Sequence, residues 1–232
     1  MRIPSPYPSV SSLGQGVYSL SEVARYADLN PSTARAWFKG RSDGVGRGPV
    51  FRSDYSAVNE DFAVSFLDLV DACVAGRFRR AGVKLSIVRE AYRLLTDDLK
   101  TPHPFAHDLL YTDGRAIIVG VANRVNNPLL YDAISKQILF DDIGSILSRV
   151  DYREADHLAW RWRIAEGVEI DPAVSFGKPV VHDTGIETWV VSRQYFANNR
   201  NSALVADLFG IREDDVENAV EFERNHGFKS AA

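Results

Sequence analysis

The segment VYSLSEVARYADLNPSTARAWFK, residues 17–39, predicts two short helices joined by a tight turn. Ser19 or Ser21 suits the N-cap of the first helix, because a hydroxyl there can accept a hydrogen bond from a free backbone N–H. Asn30 suits the N-cap of the second helix, and Pro31 fits its first position, where no N–H donor is needed. The boundaries of both helices are therefore predicted from local sequence alone.

The second helix of this segment has an apolar side and a polar side. Ala34 and Trp37 are expected to point inward, whereas hydroxyl and cationic side chains remain outside at Ser32, Thr33, Arg35 and Lys39. A short apolar helix, a polar turn and a second helix with such a start are typical of the helix-turn-helix motif. On spacing alone, an ordinary helical hairpin explains the segment equally well.

Composition places the chain among folded globular proteins. Its 232 residues are 45% hydrophobic and 25% charged, enough for one large or two modest domains with a buried core. The sequence contains no apolar run that could span a bilayer and no secretion signal, so we expect a cytoplasmic protein. The single cysteine, Cys73, excludes an internal disulfide and a cysteine-rich metal site.

The charge is unevenly distributed along the chain. Residues 1–100 contain 14 basic and 11 acidic residues, whereas residues 101–232 contain 13 basic and 20 acidic residues. A more basic front half favours contact with nucleic acid, although a difference of this size is common.

The sequence predicts a mainly α fold with a small β component and four segments. These are a flexible arm at 1–16, a winged helix-turn-helix domain at 17–98, a small α+β connecting region at 99–165 and a C-terminal helical domain at 166–232. The glycine-rich stretch 40–48 is placed where a wing would follow the second helix.

Other elements follow from periodicity and turn residues. Helices are expected at 62–75 and 85–95, and three more at about 186–198, 202–209 and 213–226. A β-hairpin is predicted around Asp113-Gly114, flanked by 109–112 and 116–119, because Asp-Gly accepts positive φ. A further short strand is predicted at 138–140 and a helix at 151–163.

The front of the chain resembles the DNA-binding domain of the MerR family. The residues that carry this resemblance lie at 18–25, 30–37 and 79–89, and it covers about residues 17–95. It implies that the second helix enters the major groove, with Thr33 and Arg35 at matching positions, and that a wing contacts the DNA backbone. Ala36 and Phe38 depart from the family pattern, and the family's long dimerising coiled coil is absent.

The tail, about 168–226, is similar to a small family known only as a domain of unknown function. The resemblance rests on 170–172, 176–180, 184–186 and the apolar pattern from Val216 to Phe222; Gly185 stands where that family usually has arginine. Proteins that join such a tail to a MerR-like head resemble VapB-type antitoxins, which are partners of PIN-domain ribonuclease toxins.

Candidate DNA contacts are the polar side chains around the second helix and the basic residues beyond it. Arginine and lysine neutralise phosphates, and hydroxyls at a helix start can bond to backbone oxygens. The DNA-binding candidates are Ser32, Thr33, Arg35, Lys39, Arg41, Arg47, Arg52, Arg79 and Arg80. The alternative for each is an ordinary solvated charge, or, at 79–80, a charge that suits the end of a helix.

The run Trp160-Arg161-Trp162-Arg163 is the candidate partner-binding site. On a helix these four side chains would point in nearly all directions, and Trp and Arg are enriched at the energetic centres of interfaces. The alternative is two tryptophans packed in the interior with the arginines reaching outward to water.

We expect neither a metal, a cofactor nor an enzymatic activity. Among the five histidines, only His103 with His107 and Asp108 approaches ligand spacing, and Pro104 interrupts any helix there. The paired acids at 141–142 and 214–215 suit helix caps or solvated surfaces. The sequence has no catalytic triad order, phosphate loop or nucleotide fingerprint.

The resulting hypothesis is an antitoxin of a type II toxin–antitoxin module. It would neutralise a PIN-domain ribonuclease toxin, bind its own double-stranded promoter DNA and form a homodimer, with no role at a membrane. The alternative is a free-standing MerR-like transcription regulator whose central sheet binds a small ligand.

Overall fold

The computed structural model describes residues 15–40, 48–55, 62–112, 114–125 and 138–226, with side chains described there except at 114–118, 125 and 138–142. Helices predominate and the sheets are small, which confirms the predicted mainly α fold class. The chain forms two compact units, one of Val17–Trp160 and one that includes the chain from Arg161 onward. The four-segment division stays a prediction.

The first unit is built mainly from helices around an aromatic core. Strand β1 pairs antiparallel with β2, with Tyr18 opposite Val64. The elements in chain order are β1 Tyr18–Ser19, α1 Leu20–Tyr26, α2 Pro31–Lys39, β2 Ala63–Val64, α3 Phe66–Arg80, α4 Leu85–Leu99, α5 Leu109–Thr112, α6 Gly114–Val125, α7 Ile138–Leu147 and β3 Val150–Tyr152. Its largest fully buried side chains include Trp37, Tyr18, Phe51, Phe66 and Phe105.

Helices α1 and α2 confirm the two helices predicted at the start. Ser19, rather than Ser21, caps α1: its hydroxyl accepts a hydrogen bond from the Glu22 N–H, and the Glu22 carboxylate accepts one from the Ser19 N–H at 2.8 Å. Asn30 caps α2, whose first residue is Pro31. Both helix starts are therefore fixed by side chains that lie next to them in sequence.

Helix α3 packs closely against the turn that follows α1. A Cβ atom at Gly76 would lie 3.1 Å from the carbonyl oxygen of Ala27, so only a glycine allows this approach without displacement. The same turn is bonded to the end of α3 through the Arg80 guanidinium, which lies 2.6 Å from the Asp28 carboxylate. The position of the α1–α2 pair relative to α3 is thus set by both packing and charge.

The hairpin predicted around Asp113-Gly114 is wrong. Residues 109–112 and 114–125 are helices α5 and α6, and Asp113 itself lies outside the described residues. Residues 138–140, predicted as a strand, begin helix α7, in which Ile143, Ile146 and Leu147 are buried at helical spacing. A short apolar run is compatible with either a strand or a buried helix, and here packing against the rest of the unit favours the helix. The central sheet on which the ligand-binding alternative depended is therefore not formed by 109–112, 114–125 or 138–140.

The helix predicted at 151–163 is also wrong. This segment forms β3 and most of β4, Ala159–Ala165, joined by a turn in which the Arg153 N–H donates to the Leu158 carbonyl at 3.0 Å. Trp160 and Trp162 are two residues apart and, like other aromatic residues, suit a pleated strand.

The second unit is a small sheet with three helices. Strand β4 leads into it, and β5 Val168–Ile170 pairs antiparallel with β4 and with β6 Val180–Val181. Helices α8 Thr188–Ala197, α9 Ser202–Phe209 and α10 Glu213–His226 confirm the three predicted helices. Its core is apolar and consists of Val181, Val191, Val205, Ala206, Val216, Ala219 and Val220.

The β4–β5 turn lies directly against α10. Gly167 has φ +62°, and a Cβ atom there would lie 2.7 Å from the Asn218 side chain, so the turn requires a glycine for both reasons. Within the ranges that the structure describes, no helix has the length and apolar character needed to cross a bilayer.

Candidate nucleic-acid and protein interfaces

The exposed side of α2, formed by Ser32, Thr33, Arg35 and Lys39, is called the α2 face. The Asn30 side chain fixes its start, accepting hydrogen bonds from the Ser32 N–H at 2.9 Å and the Ser32 hydroxyl at 2.7 Å. Ser32 and Arg35 are exposed and Thr33 is half-buried. On the opposite side, Ala34, Trp37 and Phe38 are buried, as predicted for Ala34 and Trp37.

Two cations of the α2 face differ in their surroundings. The Arg35 side chain is exposed, and no hydrogen bond or ion pair joins it to another described residue. Lys39 lies with its ammonium 5.5 Å from the centre of the Phe62 ring. Arg35 is thus the more available of the two for a phosphate or a base edge.

The remaining DNA-binding candidates occupy several positions. Arg79 donates to the Val83 carbonyl at 2.5 Å, and Arg80 pairs with Asp28, so both also stabilise the fold. Arg52 is exposed. Arg41 and Arg47, with the predicted wing, lie outside the described residues. Of the predicted DNA-binding residues, those on α2 therefore share one exposed side of a helix. Arg79 and Arg80 instead bind other residues of the first unit.

The Trp160–Arg163 run lies on strand β4, so its side chains alternate between two sides. Trp162 is buried opposite Ile170 in the pairing with β5. Arg161 lies 3.8 Å from the buried carboxylate of Glu169, and Arg163 is exposed. The partner role of this run stays a prediction, and only its exposed members could contact a partner directly.

The first unit contains a buried polar network that was not predicted from the sequence. The ring of His103, only 2% exposed, lies between carboxylates: Nδ1 is 2.9 Å from Asp71 and Nε2 is 3.1 Å from Asp54. The Asp71 carboxylate also accepts from the Tyr92 hydroxyl at 2.9 Å and the Phe105 N–H at 3.0 Å. These contacts join α3, α4 and the segments 48–55 and 101–107.

The protonation of this network follows from its geometry. Burial alone would lower the pKa of His103, but its hydrogen bonds to Asp54 and Asp71 and their charges outweigh burial and raise the pKa to about 10. The ring is therefore an imidazolium that donates from both nitrogens. Burial raises the pKa of Asp68 to about 6. One of its carboxylate oxygens has no hydrogen-bond partner among the described atoms.

Two groups of side chains have the donor types that hold a metal ion. Asp54, Asp68 and His103 offer atoms within 4.8 Å of one another, as do Glu169, His182 and Asp183 in the second unit. In the first group, both ring nitrogens of His103 are already engaged with carboxylates. In the second, His182 Nδ1 lies 2.6 Å from Glu169, next to the Arg161 cation. In both groups a histidine nitrogen therefore already lies within hydrogen-bond distance of a carboxylate of the same unit.

His103 and His107, which the sequence analysis grouped, belong to different clusters. His107 stacks on His157 with ring centres 5.6 Å apart, and Asp108 lies 2.8 Å from His157 Nδ1. Burial lowers the pKa of His107, so this ring is neutral near pH 7. This pair closes the β3–β4 turn against the segment before α5.

A second feature not predicted from the sequence is called the α8 face. It consists of Trp189, Arg193 and Phe196 on the exposed side of α8 and of Arg200, three residues beyond its end. The Arg193 guanidinium lies 5.3 Å from the Trp189 ring centre, and Arg200 lies 5.9 Å from that of Phe196. Trp189 is 43% exposed and Phe196 is 54% exposed. The spacing of four, three and four residues was visible in the sequence, but not which side of the helix packs inward.

Similarity to known proteins covers both units. The family model described as "Protein of unknown function (DUF433)" matches residues 168–222, which confirms the predicted resemblance of the tail. The chain is 25% identical over 224 residues to the Mycobacterium tuberculosis (strain ATCC 25618 / H37Rv) protein named "Putative antitoxin VapB45", covering 88% of this chain and 92% of that protein.

A solved structure supports the same fold. The X-ray crystal structure of Rv2018 from Mycobacterium tuberculosis matches with a TM-score of 0.70 and 23% identity, covering 88% of this chain and 96% of that one. At this identity the likeness concerns the fold alone. The MerR-like character of the first unit stays a prediction.

Proposed function

We propose that this protein is the antitoxin of a type II toxin–antitoxin module. In this proposal it binds and neutralises a PIN-domain ribonuclease toxin and represses its own operon by binding promoter DNA as a homodimer. The observation that carries the proposal is the similarity to the relative named "Putative antitoxin VapB45", which extends over 88% of this chain rather than one segment.

The DNA-binding part of the proposal is supported by the α2 face. An exposed arginine one turn from the Asn30-capped start of α2 is suited to phosphate contact, and an arginine can also bind a guanine with two hydrogen bonds. In a symmetric dimer, two such helices would lie about 34 Å apart, one turn of DNA, or a multiple of that distance. The α2 face is proposed as the recognition surface.

The toxin-binding part is tested with the full chain. The chain is coexpressed with the protein encoded by the adjoining reading frame, and copurification and ribonuclease activity are measured. A stable complex with suppressed RNA cleavage is expected. If the neighbouring protein neither binds nor loses activity, the antitoxin assignment is wrong, and promoter binding that responds to a small ligand would instead support the regulator alternative.

A further inference from the structure

The α8 face has the geometry of a preorganised contact surface. Trp189, Arg193 and Phe196 follow one side of the helix, and the two residues Asn199 and Arg200 have φ of +53° and +63°, which turns the chain so that Arg200 returns over Phe196. The Trp189 indole N–H donates to the Glu187 carboxylate. Each aromatic ring is therefore held by a neighbouring side chain before any partner binds.

The composition of the α8 face is that of a protein interface. Trp and Arg are the residues most enriched at energetic centres of interfaces, where rigid aromatic side chains lose little entropy on binding. A guanidinium stacked on a ring is already partly desolvated, so less hydration is lost when a partner covers it. Exposing two large aromatic rings on one helix to water is unfavourable, and such clusters of exposed apolar side chains mark sites that bind a partner.

The same unit exposes other apolar side chains. Leu204 and Leu208 lie one turn apart on α9 and are 49% and 60% exposed. Phe176 is 68% exposed although its backbone has φ +56°, a conformation that costs free energy for any residue with a side chain. These three side chains are exposed to solvent, which is consistent with a partner that covers more of this unit than α8 alone.

Charge identifies the chemistry of the partner. Residues 161–226 contain 7 basic and 12 acidic residues, yet the stretch from 188 to 201 contains two arginines and no acid. The α8 face is thus a positive patch on a negative unit. In a symmetric contact between two copies of the chain, two positive patches would meet, and the phosphates of a nucleic acid would be repelled by the rest of the unit.

We infer that the α8 face is the surface that docks the toxin, and that the toxin meets it with an apolar patch rimmed by carboxylates. This inference rests on the proposed function. It places toxin binding on α8 rather than on the Trp160–Arg163 run, and it assigns the rings of Trp189 and Phe196 as apolar anchors and Arg193 and Arg200 as the charged contacts.

The inference is tested with full-length variants and the purified ribonuclease from the adjoining reading frame. Trp189→Ala is expected to weaken the complex by at least about 30-fold, as for a residue at the centre of an interface. Arg193→Glu is expected to weaken it by at least about 10-fold, because the reversed charge faces carboxylates. Arg224→Glu makes the same charge change on α10 of the same unit and is expected to change affinity by less than about 3-fold. Thermal unfolding and circular dichroism confirm that each variant is folded.

The possible results distinguish failure of the α8 assignment from failure of the proposed antitoxin function. If the wild type inhibits the ribonuclease and both α8 variants inhibit it equally well, or if only Arg163→Glu weakens binding, the α8 assignment is overturned and the antitoxin function stands. If the wild type does not bind the ribonuclease, the function and the inference fail together. Loss of self-association, or of single-stranded oligonucleotide binding, in Trp189→Ala with unchanged toxin affinity would overturn the inference in favour of a second copy or a nucleic acid.

Discussion

The two units present arginines to solvent in different ways. On the α2 face, Arg35 is exposed, and no described aromatic ring lies against it. On the α8 face, Arg193 and Arg200 each lie over a ring. A hydrated, mobile cation suits phosphates along a duplex, whereas a stacked cation suits a fixed contact with another protein.

The interiors below these faces differ as well. The first unit buries the imidazolium of His103 among carboxylates, whereas the helices of the second unit pack on valine and alanine. The stability of an ion-paired interior depends on pH, whereas that of an apolar interior does not. The comparison therefore predicts that the two units respond differently to the same kinds of perturbation.

The largest effect is expected from His103→Leu. Removal of the imidazolium leaves Asp54 and Asp71 without their shared partner, and we expect the first unit to lose about 3–5 kcal/mol of unfolding free energy. The matched control is His182→Leu in the second unit, where the ring is half-exposed and water can replace it. Urea unfolding of both variants measures the difference, and equal losses would contradict the comparison.

A pH dependence should follow from the same network. The pKa of His103 in the folded state, about 10, lies above its unfolded value. Its contribution is therefore complete below about pH 6.5 and is lost as pH rises towards about 10, by about 1.4 kcal/mol per pH unit.

The pH effect is isolated by difference. Free cysteine and tyrosine also titrate at alkaline pH, so urea unfolding is compared between about pH 7 and 8.5 for the wild type and His103→Leu. The wild type should lose about 2 kcal/mol more than the variant over this range. Parallel losses in the two proteins would show that His103 is not the titrating group.

Arg35→Ala should affect DNA binding alone. We expect the slope of log affinity against log salt to fall by about 0.9 if Arg35 neutralises one phosphate. An additional loss of about 1–3 kcal/mol is expected if it binds a base. Arg93→Ala, an exposed arginine of the same unit paired with Glu90 and Asp97, is the control. An unchanged salt slope in Arg35→Ala would show that this residue does not contact a phosphate. A loss of promoter affinity in Arg193→Ala would show that the α8 face also contributes to DNA binding.

The smallest effect concerns how each helix begins. Asn30→Ala removes the side-chain cap of α2 and should cost about 1 kcal/mol of unfolding free energy. Helix α8 begins at Thr188, and its N-cap residue Glu187 makes no side-chain cap hydrogen bond, so Glu187→Ala should change stability by less than about 0.5 kcal/mol. Thermal unfolding of the two variants would show whether the helix starts differ as expected.

Local sequence predicted those parts of the fold that local interactions determine. The caps at Ser19 and Asn30, the helical spacing of α3 and α4 and the three C-terminal helices depend on residues within one or two turns of one another. The wrong predictions fall where two structures are locally possible, at 109–119, 138–140 and 151–163, and packing against distant residues decides between them.

The candidate sites likewise depend on contacts between residues that are distant in sequence. His103 lies 32 residues from Asp71 and 49 residues from Asp54 along the chain, so no local pattern reveals their contact. The signal that was present is a pair of acids, Asp68 and Asp71, within the otherwise apolar first part of α3. At α8 the spacing of rings and arginines was readable, but Val191 and Tyr195 offered a rival apolar side, and only packing shows which side is exposed.

The distribution of the tryptophans makes the two units distinguishable by fluorescence. Trp37 is buried in the first unit, Trp162 is buried in the second, and Trp189 lies on the α8 face. Indole emission shifts to longer wavelength when a buried ring becomes hydrated, so replacing Trp37 or Trp162 with phenylalanine would show which unit melts first. Quenching by iodide would act first on Trp189, and a partner that covers α8 would shield it. Tryptophan fluorescence can therefore report both the unfolding of each unit and the binding of a partner at the α8 face.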